Sequence, residues 1–132
     1  MCIRDRHETS EEQKLRHESR KILGIDDLRV APTCVRVPVY TGHALAVTAS
    51  FESPITPAEA TSLLSQRDDV IVDNIPTPLK SAGIDESLVG RIRPSDVFEN
   101  GLSMFIVGDN LRKGAALNAV QIAELVAKEL QA

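Results

Sequence analysis

Arg36 and His43 flank the segment VPVYTG at residues 37–42, in which Gly42 allows a sharp backbone turn immediately before the imidazole. Arginine can clamp a carboxylate through two parallel hydrogen bonds, and histidine can move a proton near neutral pH. From residue type alone the preferred reading is a strand-end arginine in a surface ion pair and a loop histidine satisfied by its neighbours, since one Arg and one His make no motif. Glu11 and Lys14 share one face of an expected helix. Together they could bind an amine and an anion, or simply decorate a solvated surface. Cys34 sits in an apolar stretch, where a thiol behaves as a small inert hydrophobe, although a regular strand would turn it to the same side as Arg36. The structural reading is preferred. Residues 108–118 (GDNLRKGAALN) form a polar, glycine-bounded stretch at a helix start, where free backbone N–H groups attract anions or carbonyl oxygens. Capping alone would explain Asp109 or Asn110.

The elements that must position these residues belong to one modest domain. The 132 residues are 42% hydrophobic and 26% charged, with 15 Lys+Arg against 19 Asp+Glu. A domain of this length buries roughly two-thirds of the surface its unfolded chain exposes, so it needs neither disulfides nor a structural metal. A net charge of -4 and an aromatic content of 3% argue against nucleic-acid binding, which needs a basic face or stacking platforms. Every apolar run is shorter than the ~20 residues of a membrane span, and no secretory h-region opens the chain. A cytoplasmic protein is expected. Two cysteines, Cys2 and Cys34, make no disulfide framework, and no CxxC or Cys/His cluster offers zinc ligands. Neither GxGxxG nor GxxxxGK[ST] occurs, so the usual nucleotide loops are missing.

Ser10 with Gln13 reads as a capping box and Gly24 as a stop, predicting a helix over Ser10–Leu23 with Leu15, Ile22 and Leu23 turned inward. Valines and two prolines make residues 28–39 extended, with Pro38 suited to an edge strand or a strand's end. Residues 44–51 form a second strand. Thr56, Pro57 and Glu59 open a helix over 56–65. A short strand at Val70–Val72, a turn-rich loop over 74–83, and strands at 88–93 and 102–107 follow, the last two joined by a loop ending in Asn100-Gly101. A final helix over 115–130 carries Ala119, Ile122, Ala123, Val126 and Leu130 on one face. This order predicts an α+β fold: a mixed or antiparallel sheet with helices packed mainly on one face. The open face would then favour a homodimer.

Three segments, 31–43 (APTCVRVPVYTGH), 89–93 (VGRIR) and 107–124 (VGDNLRKGAALNAVQIAE), resemble the C-terminal part of bacterial aspartate-semialdehyde dehydrogenases. The resemblance spans residues 8–130 in order. It implies the C-terminal domain of the glyceraldehyde-3-phosphate dehydrogenase-like superfamily and an enzyme that reduces L-aspartyl 4-phosphate to L-aspartate 4-semialdehyde with NADPH, toward lysine, methionine and threonine. In that family a cysteine thiolate attacks the acyl phosphate, phosphate leaves, and hydride reduces the thioester. By matching positions, His43 would be the general acid/base, Arg36 would hold the substrate carboxylate, Glu11 the substrate amino group and Lys14 the phosphate. Asn110 and its neighbour Leu111 would lie near the nicotinamide.

The sequence also departs from the family. The dinucleotide-binding domain and the nucleophilic cysteine are not found in it, and Cys34 occupies the arginine-bearing strand, not the nucleophile's motif. The link from Val70 to Pro76 is shorter than usual, and Ala44-Leu45 replaces a more polar pair after the histidine. Residues 1–6 (MCIRDR) are read as a foreign leader, 7–132 as the C-terminal substrate-binding and dimerisation domain, and the chain alone as half an active site without turnover. Two other readings are the related N-acetyl-glutamyl-phosphate reductase and a stand-alone dimerisation or small-anion-binding module.

Overall fold

The computed structural model describes residues 7–131, so the expected leader at 1–6 lies outside the described residues. The chain forms two compact units that meet in sequence between Pro38 and Val39.

In the first unit, helix α1 spans Ser10–Leu23 as predicted, but its cap is not Ser10. Thr9 is the N-cap: its Oγ1 accepts from the Glu12 N–H at 3.2 Å, and its own N–H donates to Glu12 Oε2 at 2.6 Å. A charged acceptor at the third helical position outcompetes the Ser10 and Gln13 pair. Gly24, in the left-handed region at φ 66°, closes the helix. Ile22 and Leu23 are exposed and Leu15 is half-buried, contrary to the expected inward stripe.

The inward face is polar instead. Glu12, Arg16 and Arg20 recur at four-residue steps, and each bonds the backbone of the returning chain. Glu12 Oε1 accepts from Cys34 N at 2.8 Å, Arg16 Nε donates to Val30 O at 3.2 Å, and Arg20 Nε donates to Leu28 O at 2.8 Å. Arg16 also forks onto the Glu8 carboxylate. Residues 28–39 therefore join no sheet ladder. The strand expected there is absent, because helix side chains already serve those backbone groups.

The second unit holds a four-stranded mixed sheet in the order β1-β4-β3-β2, from β1 (His43–Ser50), β2 (Val70–Val72), β3 (Ser87–Pro94) and β4 (Gly101–Gly108). β1 and β3 both run antiparallel to β4, while β2 runs parallel to β3. The β1–β4 ladder is unbroken from His43 opposite Gly108 to Ser50 opposite Gly101. In β3 a bulge intervenes between Gly90 and Arg93, and Arg91 takes φ 53° there. Leu88, Val89, Leu102 and Val107 are the buried centre of this unit, joined by Ala60 of helix α2 (Pro57–Ser65), which packs against β2 and β3. The capping box of α2 forms as predicted, between Thr56 and Glu59.

The loop predicted over 74–83 contains a short helix, α3 (Pro78–Ser81), that packs on β4. Thr77 caps it and proline fills its first turn, a local signal that a four-residue helix leaves easy to overlook. From within α3, Lys80 Nζ donates back to Asp73 Oδ2 at 2.6 Å and to the Ile75 carbonyl at 2.9 Å, which folds the crossover onto itself. The C-terminal helix begins as a π-helical turn at Arg112–Ala116 and continues as α4 (Leu117–Gln131). Its apolar side chains Ile122, Val126 and Leu130 are exposed. No helix among the described residues is long and apolar enough to cross a membrane.

Two substitutions test this architecture. A Cβ at Gly90 would sit 1.7 Å from the Asp73 carbonyl oxygen, so Gly90→Ala should cost about 3 kcal/mol or more in denaturant unfolding, with a lowered Tm. Glu12→Ala should speed hydrogen exchange at the Cys34 amide by about tenfold, the loss of one charge-assisted bond; an unchanged rate would mean that other contacts hold residues 28–38.

Candidate functional site

His43 opens β1 at the end of the sheet where β4 finishes. Its placement is set by the residue before it. Gly42 has φ 98°, and a Cβ there would lie 3.1 Å from Pro78 Cβ and 3.2 Å from the Pro78 carbonyl oxygen. Only glycine combines that backbone conformation with so close an approach. The Gly42 N–H donates to Asn110 Oδ1 at 3.0 Å, which joins the entry of β1 to the loop after β4. Two residues named from sequence, His43 and Asn110, are thus brought to one place. The His43 side chain is exposed, as are those of Asn110 and Leu111, the last with 69% of its surface accessible.

Beneath Asn110 lies a residue that sequence reading undervalued. Asp109 is 4% exposed, yet its carboxylate is fully engaged. Oδ2 accepts from the Gly83 N–H at 2.8 Å, and Oδ1 accepts from the N–H groups of Leu111 at 2.8 Å and Arg112 at 3.2 Å. The Gly83 bond, then the Leu111 and Arg112 bonds and the Arg112 charge, hold its carboxyl below the usual aspartate range despite the opposing effect of burial. The sequence did offer the signal, an Asp at the head of a helix entry, but not the partner at Gly83.

In the first unit, Glu11 and Lys14 lie in the first turns of α1 on the face opposite Glu12, Arg16 and Arg20. They pair with each other at 3.1 Å, more than half exposed. Lys14 also borders a shallow depression of about 350 Å³ along the helix, together with Gln13 and His17. Arg36 is exposed in the extended segment. A larger open depression of about 680 Å³ lies between Phe51 and Leu63 and is lined by none of the candidate residues. Cys34 is half-buried, and its backbone N–H is committed to Glu12. Among the described residues no group of His, Cys, Asp and Glu side chains is placed to hold a metal ion.

The chain belongs to the family described as semialdehyde dehydrogenase, dimerisation domain, which matches residues 3–113. It is 60% identical over 125 residues to an aspartate-semialdehyde dehydrogenase of Streptomyces akiyoshiensis, covering 95% of this chain and 37% of that protein. It is 50% identical over 127 residues to one from Aquifex aeolicus, covering 92% and 37%. The crystal structure of aspartate semialdehyde dehydrogenase II from Vibrio cholerae, complexed with ASA, superimposes with a TM-score of 0.91 at 40% identity, over 96% of this chain and 39% of that one. The chain spans little more than a third of the length of these relatives.

Because the Asp109 pKa is lowered on folding, its contribution is complete above the ordinary aspartate value of about 4 and is lost as pH falls toward the depressed value. Asp109→Asn should therefore be less stable than the parent at pH 7, and the gap should narrow as unfolding is followed down to about pH 2. A gap that stays constant over that range would show that the charge of Asp109 contributes nothing.

Proposed function

We propose that residues 7–132 are the C-terminal substrate-binding and dimerisation domain of an NADPH-dependent aspartate-semialdehyde dehydrogenase. The reaction reduces L-aspartyl 4-phosphate to L-aspartate 4-semialdehyde and releases phosphate, serving lysine, methionine and threonine synthesis in the cytoplasm. The observation that carries this reading is the Gly42–Asn110 hydrogen bond, which sets a proton-handling imidazole beside a polar loop, in a chain 60% identical to a protein of that name.

Each role suits its side chain. His43 serves as the general acid/base of the reaction. Arg36 offers a fork to the substrate carboxylate. Glu11 receives the substrate ammonium and Lys14 its phosphate. Their mutual ion pair is exposed and worth about 0–1 kcal/mol, so a ligand carrying both charges replaces it at little cost.

Asn110 and Leu111 fit the nicotinamide end of NADPH. With Oδ1 occupied by Gly42, the Asn110 side chain presents its Nδ2 hydrogens as donors to a carboxamide oxygen, and exposed Leu111 offers an apolar contact to a ring. NADPH supplies the two reducing electrons when bound. The thiolate nucleophile and the dinucleotide-binding fold are assigned to the length by which the relatives exceed this chain. Two copies pair in the working enzyme.

In the complete enzyme carrying this sequence, His43→Gln should lower kcat by about 10²- to 10⁴-fold, while Arg36→Lys should mainly raise KM for aspartyl phosphate. The isolated 132-residue chain should show no turnover. Undiminished kcat in His43→Gln, or a preference for N-acetyl-glutamyl phosphate, would overturn the assignment.

A further inference from the structure

Three constraints act on the peptide immediately ahead of His43: the hydrogen bond from Gly42 N–H to Asn110 Oδ1 at 3.0 Å, the close packing of Gly42 on Pro78, and the positive φ of 98°. Followed outward, these contacts return to their origin. Pro78 opens α3, and Ser81, fully buried at its end, donates its hydroxyl to the Pro78 carbonyl at 3.0 Å. Just past α3, the Gly83 N–H donates to Asp109 Oδ2 at 2.8 Å. Asp109 is bonded in sequence to Asn110, and Asn110 reaches back to Gly42. The ring is closed by two side chains from one loop. The Asn110 bond spans 68 positions of sequence and leaves its own loop, so local capping does not explain it.

We infer that Asp109 and Asn110 are positioning residues for His43, holding it through Gly42 so that the loop after β4 and the start of β1 move as one body. The catalytic meaning of this rests on the role proposed above for His43; the ring itself does not. What the ring requires at position 110 is an acceptor oxygen at the reach of an Asn side chain, which Asp also supplies and Ala does not.

The test is heteronuclear NMR on the 132-residue chain, following the Gly42 amide and the His43 Cε1–Hε1 resonance, the latter assigned with His43→Gln. Asn110→Ala should speed Gly42 amide exchange about tenfold and shift the His43 resonance, with the β1–β4 ladder amides unchanged. Asn110→Asp should restore both. Asp109→Asn should move His43 in the same direction as Asn110→Ala, and if that variant fails to fold, the Asn110 pair still decides. The inference falls if Gly42 exchange is unaltered in Asn110→Ala, if it rises while His43 stays put, or if Asn110→Asp restores neither. Failure of the functional reading looks different: complete enzyme that keeps its kcat with His43→Gln loses the catalytic role, while the NMR outcome stands.

Discussion

Asp109 carries a charge into a place that is almost closed to water, and burying a carboxylate is costly unless hydrogen-bond donors replace the lost hydration. Here the replacement is three backbone N–H groups, from Gly83, Leu111 and Arg112. Backbone donors have no side-chain freedom to lose, so the carboxylate fixes the chain wherever it binds. One end of the crossover between β2 and β3 and the first turn beyond β4 are thereby pinned to a common point. Leu88 and Val107, opposed in register close by, complete the anchorage from the apolar side. Charge and core thus support the same end of the sheet, the end at which β1 begins.

The first unit solves a different problem with similar means. An extended segment without a sheet partner leaves its backbone polar groups unsatisfied, which folded chains rarely tolerate. Helix α1 answers with three long polar side chains on one face, at Glu12, Arg16 and Arg20, each taking one backbone group of residues 28–34. The bonds from Thr9 and Cys34 to Glu12 lower its carboxyl pKa, and the Glu8 partner raises that of the Arg16 guanidinium, so both groups stay charged across the neutral range. The opposite face is left to Glu11 and Lys14. The helix thus carries its structural duty on one charged face and a separate, solvent-exposed ion pair on the other.

Much of the fold was legible because local signals agreed. Thr56, Pro57 and Glu59 each mark the same helix start, and the strands around Val47, Val89 and Phe105 show the expected apolar runs. Reading failed where two local signals competed or where the partner was distant. Thr9 with Glu12 and Ser10 with Gln13 both fit a capping box, and charge decided between them. Residues 28–39 have strand composition, but nothing local reveals that helix side chains replace the ladder. Of the proposed site, Glu11, Lys14, Arg36, His43, Asn110 and Leu111 are nameable from type and resemblance. The bond from Gly42 to Asn110 was not, since no periodicity links positions so far apart.

The two ladders of β4 differ in how they handle errors of length. On one side β1 matches β4 residue for residue, with no bulge between His43 and Ser50. On the other, β3 absorbs an extra residue between Gly90 and Arg93 before its register resumes. A residue gained or lost within β1 would turn every side chain beyond it to the opposite face and carry His43 off its mark. The same change near Arg91 would be taken up locally, in backbone already bent to hold a surplus. A one-residue change of length is thus better absorbed beside the β3 bulge than anywhere along β1.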